Sequence, residues 1–225
     1  VTSIDVVIPA YNAERHLHEA IDSALAQTLR PSRIIVVDDA STDATASVAR
    51  ARGGLVELVA HASNRGAAAA RNTGVAAATA THIAFLDADD RWVHDKLERQ
   101  CAALEASAEA MFALCRIREF LSDELDAAER EMFARPDATR LEGWAPSALL
   151  ARRALFAACG GFDESLRVGE AIDWFSRVRS HPHVHLDFVG VERRLHRDNS
   201  TRRATVTAQD YFAVVRRHVA RTRGA

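Results

Sequence analysis

Asp87-Ala88-Asp89-Asp90 directly follows the apolar run Ile83-Ala84-Phe85-Leu86. Carboxylates one residue apart at the end of a strand can share a hard divalent cation, leaving its other positions to the phosphate oxygens of a ligand. The plainer use of such residues is a turn with a helix N-cap. A second acidic strand end, Asp38-Asp39 after Ile34-Ile35-Val36-Val37, favours the cation. Several carboxylates in one cleft repel each other unless a positive charge neutralises them. Asn64-Arg65-Gly66 and Arg71-Asn72 add groups suited to a diphosphate. A guanidinium pairs with it bidentately, and a glycine lets the backbone approach; the plainer role for either Arg is solvated helix surface. His181-Pro182-His183-Val184-His185 puts alternate imidazoles on one strand face, but Pro182 disturbs the ladder at its start, so a solvated strand entry accounts for it better.

The elements that must carry these residues follow from hydrophobic period. Ile4 to Pro9 is a short β-branched run. Beyond it, Leu17, Ala20, Ile21, Ala24, Leu25 and Thr28 recur at three and four, which predicts a helix capped by Asn12 and closed by Pro31. Ile34–Val37 is a second strand, Asp43–Ala51 a short helix stopped by Gly53-Gly54, and Val56–Val59 a third strand. Ala67–Thr79 is an Ala-rich helix suited to close packing, and Ile83–Leu86 a fourth strand. Strands apolar throughout and separated by helices predict a parallel sheet covered on both faces, with ligands bound beyond the strands' carboxyl ends. Both acidic clusters should then face one cleft. Further on, Val93–Ala106 reads as a helix, 107–141 as a charged, weakly patterned helical or loop insertion, and Ser147–Ala158 and Ile172–Val178 as helices. Val184–Val191 reads as a strand and Ala208–Val219 as an amphipathic helix.

Composition narrows the function classes. The 225 residues carry 29 Lys+Arg against 31 Asp+Glu, a net charge of −2 that argues against a nucleic-acid binder. At 48% hydrophobic and 27% charged the chain is of ordinary globular composition, which argues against disorder. No apolar run approaches the roughly 18–20 residues of a membrane span, and the start lacks a signal-peptide layout, so the expected location is cytoplasmic. Cys101, Cys115 and Cys159 have no metal or disulfide spacing. Lys96 is the single lysine, a bias toward Arg attributable to base composition. Phosphate-loop, dinucleotide, nucleophile-elbow and H-E-x-x-H motifs are all missing. From Gly190 onward nine Arg stand against Glu192, Asp198 and Asp210. That cluster suits a solvated face, a lid over a diphosphate, or contact with an anionic acceptor or membrane surface.

Val6-Val7-Ile8-Pro9-Ala10-Tyr11-Asn12, Ala24-Leu25-Ala26-Gln27-Thr28 and Val36-Val37-Asp38-Asp39-Ala40-Ser41-Thr42-Asp43 resemble the opening of family-2 glycosyltransferases of the GT-A fold. The match continues in order through Asn64-Arg65-Gly66, Ala70-Arg71-Asn72-Thr73-Gly74 and Ala84–Asp90. It extends to Gly160-Gly161-Phe162-Asp163-Glu164 and His196-x-x-Asn199-x-Thr201. The resemblance implies a single three-layer α/β/α domain over 1–225 with a mostly parallel sheet. Residues 1–90 would bind a nucleotide-sugar, and 91–225 would serve the acceptor and end in a helix. It further implies metal-dependent, inverting transfer of a sugar from a nucleoside-diphosphate sugar to an acceptor hydroxyl. By position, Tyr11 and Asp39 would contact base or ribose, with Pro9 shaping that loop. Arg71 would lie near the diphosphate and Asp87 by the ribose. Mn2+ or Mg2+ would sit on Asp89, with Asp90 and His196 as further or alternative ligands. The acceptor would be a glycan, a lipid-linked or a small molecule, with no nucleic acid and at most peripheral membrane contact.

One departure bears on the chemistry. Where the family often carries Glu-Asp, with the Asp as base, this chain has Gly169-Glu170-Ala171-Ile172-Asp173. Glu170 is the favoured base and Asp173, one helical turn on, the second candidate. Failing both, the chain is a non-catalytic nucleotide-sugar-binding protein. Both acids also suit the first turn of a helix on electrostatic grounds alone. A sugar nucleotidyltransferase ranks lower, because Ala10-Tyr11-Asn12 stands where such enzymes need a Gly-rich basic loop.

Overall fold

The computed structural model describes residues 2–133 and 142–199. The apolar runs of the first third become parallel strands β1 (Ile4–Ala10), β2 (Arg33–Asp38), β3 (Val56–Ala60) and β4 (His82–Phe85). Helices α1 (Leu17–Leu25), α2 (Thr45–Arg52) and α3 (Ala67–Ala77) connect them. Then come β5 (Arg91–Trp92), α4 (Lys96–Ala106), β6 (Phe112–Leu121) and α5 (Ala127–Phe133). A 3-10 turn (Pro146–Ala148) leads into β7 (Leu149–Arg152), α6 (Arg153–Cys159), α7 (Glu170–Val178) and β8 (His183–Leu195). One eight-stranded sheet runs β3-β2-β1-β4-β7-β6-β8-β5. β7 is antiparallel to β4 and β6, and β5 to β8, while β6 and β8 run parallel, so the sheet is mostly parallel, as expected.

Strand alternation divides the core into two layers. Val6, Ile8, Ile34 and Val36 pack with Leu17, Ile21, Leu97 and Leu104 of α1 and α4. Val7, Ile35 and Val37 pack with Ala68 and Ala70 of α3 and with Leu155, Phe156, Trp174 and Phe175 of α6 and α7. The Ala-rich α3 does approach closely: a Cβ at Gly74 would lie 2.2 Å from Val7 Cγ1, so that position admits no side chain. Among the described residues no helix is long and apolar enough to cross a membrane.

Several element expectations need correction. Asn12 does not cap α1, which starts five residues later. With φ of 47° it instead accepts the Thr42 N–H on Oδ1 at 2.8 Å, tying the loop after β1 to the loop after β2. The helix placed at Val93 begins at Lys96, because Arg91-Trp92 pairs with Glu192 and Val191. The supposed insertion at 107–141 contains β6, an interior strand of the sheet. Its charges obscured it. Arg116 pairs with Asp187 and Arg118 with Glu192 across the β6–β8 ladder, so the polar residues are cross-strand partners rather than loop solvation. The helix expected from Ser147 is a turn, a strand and then a helix, because a short apolar run does not distinguish the two states by period. The helix proposed for 208–219 and the Arg residues beyond 199 lie outside the described residues.

The single lysine is fully buried. Lys96 Nζ donates to Gln100 Oε1 at 2.8 Å and lies 4.0 Å over the Trp92 ring. An amide and an indole face compensate burial poorly, so desolvation pulls the ammonium pKa down from 10.5 to about 8. Between those values the unfolded chain holds a proton that the folded one has released, so this group makes stability rise with pH across that window. Lys96→Met should therefore gain stability relative to wild type at pH 7.5. That advantage should shrink by about 2 kcal/mol at pH 10, as urea unfolding at the two pH values would reveal.

Candidate active site

The carboxyl ends of β2 and β4 carry the acidic residues, and each acid has its own partner. The segment after β4 turns with Asp90 N–H donating to Asp87 O at 3.0 Å. Asp87 Oδ1 accepts from Arg71 Nη2 at 2.8 Å, and the same guanidinium gives Nη1 to Glu170 Oε1 at 2.7 Å. Arg71, on α3, is 6% exposed and rests on the Phe162 ring, its centroid 5.6 Å away; its Nε is buried without a partner. One buried cation thus joins the end of β4 to the start of α7.

Asp89 faces the other way. Its Oδ2 lies 2.9 Å from His196 Nε2 and 3.3 Å from Asn199 Nδ2, with the side chain 31% exposed. Burial works to raise the Asp89 carboxyl, but the bonded His196 overrides it and holds the group below the usual carboxylate range. Asp90 is buried and accepts the Arg194 N–H at 3.0 Å; burial and the neighbouring Asp89 and Asp87 push its carboxyl well above the usual range. Asp90 therefore turns inward. A partly open carboxylate next to an imidazole is an O/N donor set that fits a divalent cation at Asp89. His16 Nε2 and Glu124 Oε1 are buried without partners in the same neighbourhood, and His16, Glu124 and His196 each offer a ligand atom within 4.8 Å of the others.

The second acidic strand end is built differently from expectation. Asp38 and Asp39 are both buried. Asp39 Oδ1 accepts from Arg65 N at 2.9 Å and lies 2.6 Å from His61 Nδ1, and its Oδ2 accepts from Gly66 N at 2.7 Å. His61 Nε2 continues to Thr73 Oγ1 at 2.9 Å, while Asp38 Oδ1 accepts the Ser41 N–H at 3.1 Å. Asp39 is thus held by His61 and by the backbone N–H groups just before α3, and Asp38 by a backbone N–H of the loop after β2. Tyr11, 50% exposed, stands at the β1 end next to Pro9, and the neighbouring backbones are joined by Asp39 N donating to Ala10 O at 2.8 Å.

Of the two candidate bases, Glu170 reaches Arg71, whereas Asp173 is buried and paired with Arg177 Nε at 3.1 Å. Arg177 in turn donates to the Cys159 and Gly161 carbonyls. Ala171 packs against the second core layer. Asn72 clamps the same turn from α3, accepting Phe162 N–H on Oδ1 at 2.8 Å and donating to Phe162 O at 2.8 Å. A Cβ at Gly161 would stand 2.3 Å from that Oδ1. The α3-to-turn clamp therefore sets where α7, and with it Glu170, begins. Sequence reasoning missed His61, Ser147, His16 and Glu124. Each is a single residue far in the chain from its partner; Ser147 Oγ, for example, accepts the Asp87 N–H at 3.0 Å. His181, His183 and His185 have ordinary roles: His183 stacks on Phe112 at 4.7 Å and meets His185 and Trp144 edge-on.

The profile of "Glycosyl transferase family 2" matches residues 5–161. The chain is 37% identical over 102 residues to the UDP-Glc:alpha-D-GlcNAc-diphosphoundecaprenol beta-1,3-glucosyltransferase WfgD of Escherichia coli. That alignment covers 45% of this chain and 40% of WfgD, so the chain spans well under half of that protein. Among solved structures, S. aureus TarS 1–349 in complex with UDP-GlcNAc superposes with a TM-score of 0.77 at 19% identity, over 97% of this chain and 66% of that one. The mannosyltransferase PcManGT of Pyrobaculum calidifontis, in complex with GDP-Man and Mn2+, gives 0.69 at 24%, over 95% of this chain and 64% of that one. Both likenesses establish the GT-A fold.

Removing the shared cation should leave two acids uncompensated. Arg71→Met is expected to destabilise by roughly 2–4 kcal/mol in urea unfolding, below the full cost of a buried broken pair because Asp87 keeps some solvent. Adding Asp87→Asn to that variant should recover part of the loss; strict additivity of the two changes would count against the bridge.

Proposed function

This chain belongs to glycosyl transferase family 2, and on that premise we propose that it transfers a sugar, with inversion, from a nucleoside-diphosphate sugar to an acceptor hydroxyl. The observation that carries the reading is the Arg71 guanidinium held between Asp87 and Glu170. It puts an acidic side chain from α7 within one guanidinium of the acidic strand end. Inversion needs a base across the sugar from the departing diphosphate, within hydrogen-bond reach of the acceptor hydroxyl. Glu170 is the group assigned to that role: its carboxylate takes the hydroxyl proton while the oxygen attacks the anomeric carbon. Asp173 serves instead to hold Arg177 and the turn before α7.

Tyr11 offers its half-exposed ring to the donor's base, and Pro9 stiffens the chain leading to it. Asp39 contributes by fixing the 64–66 loop, since its oxygens are already occupied there. Arg71 can turn from its acids to the diphosphate, which a planar guanidinium binds bidentately. Asp89 and His196 would hold Mn2+ or Mg2+, which when bound neutralises charge on the leaving nucleoside diphosphate. Asp90 orients that end of the sheet through Arg194 rather than reaching the ligand. TarS binds UDP-GlcNAc and WfgD uses UDP-Glc by their names, so UDP-sugars are the first donors to test.

Glu170→Gln should leave donor binding nearly unchanged and lower turnover by roughly two to four orders of magnitude, while Asp173→Asn costs less turnover per folded molecule. Turnover lost in Asp173→Asn and spared in Glu170→Gln would reverse the assignment. A wild type that is inactive until Ala171→Asp is introduced would make the chain a donor-binding protein.

Asp89→Ala tests the cation. Thermal shift with UDP or GDP and Mn2+ should stabilise the wild type and fail to do so in the variant, because ligand binding to the folded state raises its stability by mass action. Retained Mn2+-dependent stabilisation would place the ion elsewhere.

A further inference from the structure

Three loops meet beside Asp89. His16 ends the turn that opens α1, Glu124 lies in the turn after β6, and His196 directly follows β8. The β6–β8 ladder ends with Leu121 opposite Leu195, so Glu124 and His196 leave adjacent strand ends. Glu19 on α1 binds Arg194 at 2.7 Å, which brings His16 to the same place. The His16 and His196 rings meet edge-on, 5.0 Å between centroids.

We infer that His16, Glu124 and His196 form a site for a borderline divalent ion of the zinc type, separate from nucleotide binding. One atom from each residue lies within 4.8 Å of the others, close enough to converge on one ion after small side-chain movements. His16 Nε2 and Glu124 Oε1 are both buried and both lack a partner. Buried polar atoms are almost always bonded, and an orphan calls for an ion or a water. The two atoms make no hydrogen bond to each other or to any other group, and a single cation could take a lone pair from each. Their outer partners are already in place. Arg15 holds Glu124 Oε2 at 3.3 Å, leaving Oε1 to the cluster, and Asp89 sits 2.9 Å from His196 Nε2, a carboxylate–histidine contact of the kind that orients metal-binding imidazoles. The ion would then take His196 Nδ1 in place of the long 3.3 Å bond that this atom accepts from the Asp198 N–H. Two imidazoles and one carboxylate favour zinc or cobalt over magnesium, and three protein ligands leave a position open. The site shares His196 with the function proposed above but needs no nucleotide.

The test uses metal alone. Chelator-treated protein is titrated with Zn2+ by calorimetry and with Co2+ by visible absorption, in the absence of nucleotide. Wild type should bind one equivalent of Zn2+ and give the absorption of four-coordinate Co2+. Glu124→Gln, nearly isosteric, and His16→Phe should each weaken binding by about tenfold or more. His185→Ala, in the other histidine cluster, should bind as wild type. Glu124→Gln should also keep its Mn2+-dependent stabilisation by UDP, which separates this site from the donor's. No saturable equivalent in wild type means that water bridges the orphans and overturns the inference. So does unchanged binding in both variants, or joint loss of zinc binding and UDP–Mn2+ stabilisation in Glu124→Gln.

Discussion

A positive charge buried between two acids governs the arrangement of the site. Arg71 is nearly inaccessible, and its ion pairs with Asp87 and Glu170 operate where water screens little. Neither acid is adjacent to it in sequence. Asp87 comes from the strand end and Glu170 from the first turn of a helix ninety-nine residues away. A guanidinium buried in this way needs anionic partners, and without a bound anion Asp87 and Glu170 supply them, which holds β4 and α7 in fixed relation.

Charge crowding at the end of β4 is resolved residue by residue. Asp87 takes the guanidinium and Asp89 takes His196, while Asp90 turns inward with its carboxyl pushed toward the neutral form. Like charges this close cannot all ionise unaided. Asp87 and Asp89 both keep some exposure, but Asp87 is taken by a guanidinium, whereas Asp89 lies against an imidazole that can itself bind a metal, which makes Asp89 the acid suited to a cation. Asp38 and Asp39 follow a different rule, since backbone amides bind them, that of Ser41 after β2 for Asp38 and those of Arg65 and Gly66 before α3 for Asp39.

The first ninety residues were legible because the strands there are short, mainly apolar runs and α1 has a clean helical period, with glycine and proline marking where the elements stop. The acidic strand ends and Arg71 could be picked out for the same reason: they stand where such runs stop. Legibility failed where charge pairs across strands. In β6, Arg116 and Arg118 answer Asp187 and Glu192 some seventy residues later, and no local pattern contains both halves of those pairs. The role of Asp39 was also hidden, since its partners are backbone N–H groups, which every residue but proline carries. Ala171 marked a departure in the sequence, but only its packing against the core and the reach of Glu170 to Arg71 give the departure a physical meaning.

The choice of Arg at position 71 follows from the same geometry. Its two terminal nitrogens lie 2.8 and 2.7 Å from oxygens on separate elements, so the bridge uses the width of a planar fork. A lysine ammonium is a point charge and could approach one acid closely only by leaving the other. The protein does bury a lysine, but Lys96 meets an amide and an aromatic face, and there the ammonium loses much of its hold on the proton. At position 71 the cation must keep its charge between two acids, and a guanidinium does so at any pH the fold survives. A diphosphate drawing on that fork would take hydrogen bonds from Asp87 or Glu170, so donor binding and the freeing of a carboxylate are coupled through one side chain.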